Sequence, residues 1–69
     1  MNIEEIYDII DKEILKQKEI YNKSKVYREM SIDDENYFYY QKAYFRSLGA
    51  MNSLRGIKIE IDNYVNESK

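Results

Sequence analysis

A long segment without proline, running from Asp33 to Tyr64, is the feature that most constrains this chain. Apolar side chains recur through it at spacings of three and four residues, which keeps them on one face of an α-helix for about nine turns. We predict a helix over residues 34–65, about 48 Å long at about 1.5 Å per residue. Asp33 is its predicted N-cap, because aspartate accepts hydrogen bonds from the free N–H groups of a first turn. The apolar stripe comprises Tyr40, Tyr44, Leu48, Met51, Leu54, Ile57, Ile61 and Val65.

Two glycines weaken the helical pattern in the second half of this segment. Gly49 and Gly56 each cost about 1 kcal/mol relative to alanine in a helix interior. After Gly56, apolar and charged residues alternate, which is also typical of a half-buried β-strand. A lone strand would leave its backbone groups unpaired. The pattern therefore favours a helix, with a strand over residues 57–64 as the alternative.

The first thirty residues carry a second helical pattern. Asn2 is followed three residues later by Glu5, a spacing typical of a helix N-terminus. Acidic side chains fall in the early turns and basic ones in the last turns, which suits the helix dipole. We predict a helix over residues 3–29. The face that recurs at helical spacing comprises Ile3, Ile6, Ile10, Ile14, Gln17, Ile20 or Tyr21, Ser24 and Tyr27.

A connection over residues 30–33 joins the two predicted helices, and helices joined by so few residues pack as antiparallel neighbours. The predicted fold class is therefore all-α: an antiparallel two-helix hairpin with a long second helix. It forms a single domain over residues 1–69, with a frayed tail over residues 66–69. The hairpin brings the acidic start of the first helix near Arg55 and Lys58. It places Ile3, Ile6 and Ile10 beside Ile57, Ile61 and Tyr64, and Tyr21 and Tyr27 beside Tyr37, Tyr40 and Tyr44.

The chain is short enough that its stability as a single copy is marginal. A chain of 69 residues buries only about 60% of its unfolded surface. Without cysteine there is no disulfide, and without cysteine or histidine we expect no structural zinc and no cofactor. One hairpin also cannot cover the apolar side chains that lie off its main stripes. We predict that two copies pair into a four-helix bundle. The predicted closest helix crossing comprises Gly49, Ala50, Ser53 and Gly56.

Charge and hydropathy restrict the compartment. The net charge is −2 and 35% of the residues are charged, which gives a mixed, soluble surface. The N-terminus lacks the basic and apolar regions of a signal peptide, and no apolar run approaches the roughly 20 residues needed to span a bilayer. We expect a soluble cytoplasmic protein without membrane association. The abundance of Ile, Lys, Asn and Tyr is typical of an AT-rich genome, such as that of a low-GC bacterium, a phage or a mobile element.

The sequence contains no pattern typical of a catalytic site. It lacks histidine, cysteine and a glycine-rich phosphate loop. Acidic residues cluster at the start of the first helix, but two helices offer no pocket in which carboxylates could do acid–base work. We expect that the protein is not an enzyme.

The aromatic residues favour protein recognition instead. Six of the nine positions from Tyr37 to Phe45 are aromatic, and tyrosine is enriched at interfaces because it buries a ring while its hydroxyl stays wet. We predict a small module that self-associates and acts as a regulator, inhibitor or adaptor of a larger protein. The predicted interface comprises Tyr27, Phe38, Tyr39, Phe45, Gly49, Ser53 and Gly56.

The alternative is a nucleic-acid-binding module. Basic side chains surround Tyr21 on one face of the first helix, and such a face could follow phosphates and stack bases. Neighbouring Glu19 and Glu29 and the negative net charge weigh against it. The predicted contacts in this case comprise Lys18, Tyr21, Lys25, Arg28, Lys42 and Arg46.

Overall fold

The computed structural model describes residues 2–67 and contains two antiparallel α-helices, α1 (Ile3–Met30) and α2 (Tyr37–Glu67). The molecule measures 55 × 17 × 13 Å, so it is a layer one helix thick. The predicted all-α hairpin is confirmed. Within residues 2–67 there is no strand, so residues 57–64 continue the helix.

α1 begins as the sequence predicts. The side chain of Asn2 accepts a hydrogen bond from the backbone N–H of Glu5 at 2.8 Å, which satisfies one free donor of the first turn. The helix ends one residue later than predicted, at Met30. The N–H of Ser31 then donates to the carbonyl of Arg28 at 3.3 Å and closes the last turn.

α2 begins three residues later than predicted. Asp34 donates its N–H to the carbonyl of Ser31, and its carboxylate accepts from the N–H of Asn36, so these residues form turns. The first helical bond runs from the N–H of Tyr40 to the carbonyl of Asn36. The prediction of Asp33 as the N-cap is therefore wrong. Aspartate and asparagine side chains bond to nearby backbone groups and stabilise turns in competition with the helix.

The C-terminal end of α2 extends past the predicted boundary. The predicted frayed tail covered residues 66–69, but Asn66 and Glu67 belong to the helix. Residues 68–69 of that predicted tail lie outside the described residues.

The least exposed residues of each helix recur at alternating spacings of three and four, which is the spacing of a coiled coil. We call these residues the seam. The antiparallel register across it brings the ring of Tyr21 to 4.8 Å from that of Tyr44 and Lys58 to 2.9 Å from Asp11. Both neighbourhoods agree with the sequence prediction. The seam comprises Ile10, Ile14, Gln17, Tyr21, Ser24 and Arg28 of α1, and Tyr40, Tyr44, Ser47, Met51, Leu54, Lys58 and Ile61 of α2.

The centre of the seam is narrower and more polar than the predicted stripes. Ser24 and Ser47 are 5% and 1% exposed, and the Ser47 hydroxyl donates to the carbonyl of Tyr44 at 3.0 Å. The predicted stripe placed Leu48 and Ile57 at the core, where the seam has Ser47 and Lys58. The predicted stripe contained consecutive spacings of three residues and of four residues. Positions chosen in this way drift around the helix, away from a seam in which spacings of three and four residues alternate. On α1 the seam takes Tyr21, one of the two predicted alternatives, and has Arg28 in place of Tyr27.

The elongated shape leaves much surface exposed. The radius of gyration is 15.9 Å, whereas a compact chain of this length has about 11 Å. The accessible surface is 5604 Å², about 1,000 Å² more than a compact protein of this mass exposes. The seam therefore covers only part of the apolar surface of the two helices.

Candidate interaction surfaces

The seam separates two exposed flanks of the hairpin, and a shallow hollow marks each. One hollow, of about 280 Å³, is lined by Ile20, Tyr39, Ala43 and Arg46 among others. The other, of about 210 Å³, is lined by Lys18, Asn22, Leu48 and Arg55 together with the edge of the seam. Residues seven apart share a helix face. The residues that line each hollow therefore identify the other residues on the same side of the hairpin.

We call the first side the apolar flank. Ile9, Met30 and Tyr39 are each more than half exposed on it. Ala43 and Ala50 carry only methyl groups, so the α2 backbone lies close to the surface between larger side chains. The apolar flank comprises Ile6, Ile9, Ile20, Tyr27 and Met30 of α1, and Tyr39, Ala43, Ala50, Ile57 and Tyr64 of α2.

We call the second side the charged flank. Its α1 portion carries mostly ionised side chains, and its apolar residues lie mainly on α2. Phe38 and Phe45 are 75% and 55% exposed and follow one another at the seven-residue spacing. This flank comprises Asp11, Leu15, Lys18, Asn22 and Lys25 of α1, and Phe38, Phe45, Leu48, Arg55 and Ile59 of α2.

Near the turn, the seam is filled by an aromatic cluster. Tyr21 stacks on Tyr44, and their hydroxyl oxygens are 3.3 Å apart. The guanidinium carbon of Arg28 lies 4.1 Å from the centre of the Tyr44 ring, a distance typical of a cation–π contact. Tyr27 packs on Tyr40, with ring centres 5.2 Å apart. The hydrogen bond to Tyr44 raises the pKa of Tyr21, so its hydroxyl stays neutral at physiological pH.

Near the chain ends, the two helices are joined by polar bonds at the edge of the seam. The Tyr7 hydroxyl donates to the carboxylate of Asp62, and this bond raises the pKa of Tyr7. Lys58 donates to Asp11 at 2.9 Å, and its ammonium lies 5.6 Å from the centre of the Tyr7 ring. These contacts tie the start of α1 to the end of α2.

The structure does not bring the predicted interface residues onto one face. Tyr27 and Tyr39 belong to the apolar flank, Ser53 lies on the same side two seven-residue repeats after Tyr39, and Phe38 and Phe45 belong to the charged flank. Gly49 and Gly56 lie on the outer face of α2, where a Cβ atom added to either glycine would meet nothing within 4 Å. Within one hairpin, the helices therefore do not approach each other at the glycines.

The predicted nucleic-acid contacts are also separated. Tyr21 and Arg28 lie in the seam, where both contact the ring of Tyr44 of the same chain. Lys18 lines the hollow of the charged flank, whereas Lys42 and Arg46 line that of the apolar flank. Lys25 is exposed, seven residues after Lys18. The six residues do not form a continuous basic face.

The acidic residues of α1 form ordinary surface contacts. Asp8 pairs with Lys12 at 2.9 Å, and Asp11 pairs with Lys58. Among the described residues, no three acidic side chains converge as metal ligands would. Neither helix, over the part of the chain that the structure describes, combines the length and apolar character needed to cross a membrane.

The apolar flank is the feature that the sequence analysis missed as a unit. Ile6, Ile9 and, as an alternative to Tyr21, Ile20 were assigned to the apolar stripe of the first helix. Met30 was assigned to the connection over residues 30–33. Apolar residues of this flank recur every seven residues in the sequence. This recurrence identifies a flank only once the position of the seam is known. The buried serines Ser24 and Ser47 fix that position.

No known protein family, curated protein or solved structure matches the chain. The function must therefore be argued from the surfaces themselves.

Proposed function

We propose that this protein is a small non-catalytic interaction module whose copies pair into a four-helix bundle and which regulates, inhibits or links a larger protein by binding it. One observation carries the proposal, namely the imbalance between buried and exposed apolar side chains. Among the described residues, Ile10 and Met51 are the buried apolar side chains, whereas Phe38, Tyr39 and Met30 are each more than 70% exposed. Large exposed apolar patches on water-soluble proteins mark interaction sites.

Self-association is supported by the amount of surface. The chain exposes about 1,000 Å² more than a compact protein of its mass. A standard stable interface covers about 800 Å² on each partner. One twofold contact could therefore bring the exposed surface of each copy to the value of a compact protein.

Binding of a second protein is supported by the aromatic residues of the charged flank. If the apolar flank is covered by another copy, Phe38 and Phe45 remain exposed on the opposite side. Lys18 and Lys25 lie on the α1 side of the same flank. Aromatic anchors within a polar rim are typical of binding hot spots.

Solution mass tests the self-association. Light scattering on a size-exclusion column, over a tenfold dilution, should give twice the chain mass of 8.4 kDa. Circular dichroism should show the same helix content in each sample. A folded protein with the mass of one chain at every concentration would overturn this part of the proposal.

Partner binding is tested by capture with matched variants. The double variant Phe38→Ala/Phe45→Ala should lose the protein that the wild type retains, because it removes the aromatic anchors but leaves the apolar flank intact. Lys12→Ala/Glu19→Ala, on the outer face of α1, is the control and should retain it. Equal affinity of both variants for the partner would place the binding site elsewhere.

Salt dependence distinguishes nucleic acid from protein as the partner. We expect no binding of a labelled single-stranded or double-stranded oligonucleotide at low salt, because the basic residues lie on different sides of the hairpin. Binding that weakens steeply as salt rises would instead indicate phosphate contacts and favour the alternative function.

A further inference from the structure

We propose that the second copy docks on the apolar flank with its helices antiparallel to those of the first, about a twofold axis perpendicular to the helices. In this arrangement α1 packs on α1 of the second copy and α2 packs on α2. The axis passes near Ala50 and Ser53. The inference rests on the proposed self-association and identifies its surface and its orientation.

The charges on the apolar flank are separated by sign along its length. Glu13 and Glu60 lie in the half near the chain ends, because the end of α2 runs beside the start of α1. Lys16, seven residues before Lys23, lies near the middle of the flank, and Lys23, Lys42 and Arg46 lie in the half near the turn. Lys42 and Arg46 line the hollow on that half together with Ile20. The flank thus has an acidic half and a basic half.

An antiparallel second copy makes this separation favourable. The acidic half of each copy then faces the basic half of the other, with Glu13 near Lys23 of the second copy and Glu60 near Lys42 of the second copy. A twofold axis parallel to the helices would place Lys23 level with Arg46 of the second copy. Like charges facing each other across an interface disfavour an arrangement, so the charges select the antiparallel one.

The apolar side chains match in the same register. Ile9 comes level with Tyr27 of the second copy, and Tyr39 comes level with Tyr64 of the second copy. At the centre, Ala50 meets Ser53 of the second copy. Small side chains at a crossing allow helix axes to approach within the usual 8–10 Å. The small residues singled out in the sequence thus contribute through Ala50 and Ser53, while both glycines stay on the outer face.

The charged flank fits a second copy less well. Its α1 portion carries Asp11, Lys18 and Lys25, and burying these side chains against another helix would remove their water without a full set of partners. The apolar flank carries isoleucine and tyrosine on both helices, and its charged side chains meet side chains of opposite sign on the antiparallel copy. The second copy therefore covers the apolar flank, and the charged flank remains open.

Charge reversal tests the surface. Glu13→Lys/Glu60→Lys and, separately, Lys23→Glu/Arg46→Glu should each weaken the homodimer by at least about tenfold, because each places like charges opposite each other in the antiparallel dimer. Mixing the two variants should restore a dimer of one copy of each. Lys18→Glu/Lys25→Glu, on the charged flank, is the matched control and should leave the dimer unchanged. Analytical ultracentrifugation measures the dissociation constants, and circular dichroism checks that every variant is helical.

Paired spin labels test the orientation. The chain has no cysteine, so Gly49→Cys and Asn63→Cys each introduce a single label, both on the outer face of α2. In the antiparallel dimer, the two labels at 49 are offset by only about 8 Å along the helix axis and the two at 63 by about 35 Å, at about 1.5 Å per residue. Electron paramagnetic resonance should therefore give a short distance at 49 and a long one at 63.

The outcomes separate this inference from the function on which it rests. A wild-type protein that stays a single chain overturns the proposed self-association itself. A dimer that tolerates both charge reversals on the apolar flank but is lost in the charged-flank control keeps the self-association and places it on the other side. Equal label distances at 49 and 63 keep the apolar flank and overturn the antiparallel orientation.

Discussion

The half of the hairpin near the turn and the half near the chain ends are held together by different side chains. Near the turn, Tyr21, Tyr44 and Arg28 stack directly across the seam. Near the chain ends, the seam is mainly aliphatic, and its edge is closed by the Tyr7–Asp62 hydrogen bond and the Asp11–Lys58 ion pair. The turn half is an aromatic cluster, and the terminal half is an aliphatic strip with polar bonds at its rim.

This difference shows what a layer one helix thick can stabilise. A tyrosine ring packs flat between two helices while its hydroxyl remains in water, so partial burial is enough. An isoleucine has no polar end, and its contribution depends on how much of its surface leaves water. Ile9 and Ile57 of the terminal half remain 54% and 47% exposed. We therefore expect the turn half to depend less on a second copy than the terminal half.

Removing the central ring of the aromatic cluster should have the largest effect on stability. Tyr44→Ala loses the stacking on Tyr21 and the contact with Arg28, and we expect a cost of about 3–4 kcal/mol in unfolding free energy. Tyr44→Phe keeps the ring and loses only the hydroxyl, so it should cost about 1 kcal/mol. Urea denaturation measures both. Equal losses for the two variants would show that the ring contacts contribute little.

Truncating the aliphatic strip should cost less. Ile10 is 8% exposed, and Ile10→Ala should lower the unfolding free energy by about 2 kcal/mol, near the lower end for buried isoleucine because the thin fold can relax. Leu15→Ala, at a position 58% exposed, is the control and should change it by less than about 0.5 kcal/mol. A larger loss of unfolding free energy for Ile10→Ala than for Tyr44→Ala would show that the terminal half contributes more to stability than the turn half.

A stabilising change is expected on the outer face of α2. Gly56→Ala should raise the unfolding free energy by up to about 1 kcal/mol, because alanine favours the helix. The added Cβ would meet nothing within 4 Å. Gly49→Ala should behave in the same way, and neither change should weaken the dimer. Loss of the dimer in either variant would instead place the glycines at a close helix crossing, as predicted from the small residues in the sequence.

The fold class could be predicted from the sequence because helical spacing, the Asn2 cap and the short connection all indicate two antiparallel helices. The neighbourhood of Tyr21 and Tyr44 followed from the same hairpin geometry. The start of α2 could not be predicted, because Asp34 bonds to Asn36 and stabilises a turn where its sequence position also suits a helix N-terminus.

The interaction surfaces were predicted less well, for a physical reason. Assigning the flanks requires the position of the seam, and the seam is defined in part by polar residues such as Ser47 and Lys58. Hydropathy alone favours Leu48 and Ile57 at these places. Ser47 is only 1% exposed and its hydroxyl donates to the carbonyl of Tyr44, so a small polar side chain fits there. The lysine stem packs along the seam while its ammonium pairs with Asp11. Both are properties of the packed pair of helices.

The smallest expected effect is the contribution of the Tyr7–Asp62 bond in the terminal half to the pH dependence of stability. The hydrogen bond to Asp62 raises the pKa of Tyr7 above its ordinary value of 10.0. The folded state therefore holds the tyrosine proton more tightly than the unfolded state does. This stabilisation is fully present below pH 10 and is lost as pH rises through the raised pKa. Urea midpoints should fall more steeply above pH 10 in the wild type than in Tyr7→Phe.

Tyr44→Phe, which removes the partner that raises the pKa of Tyr21, is the matching change in the turn half. If Tyr7→Phe and the wild type fall in parallel while Tyr44→Phe removes the whole pH dependence, the titration belongs to the aromatic cluster, and the Tyr7–Asp62 bond contributes little to the terminal half.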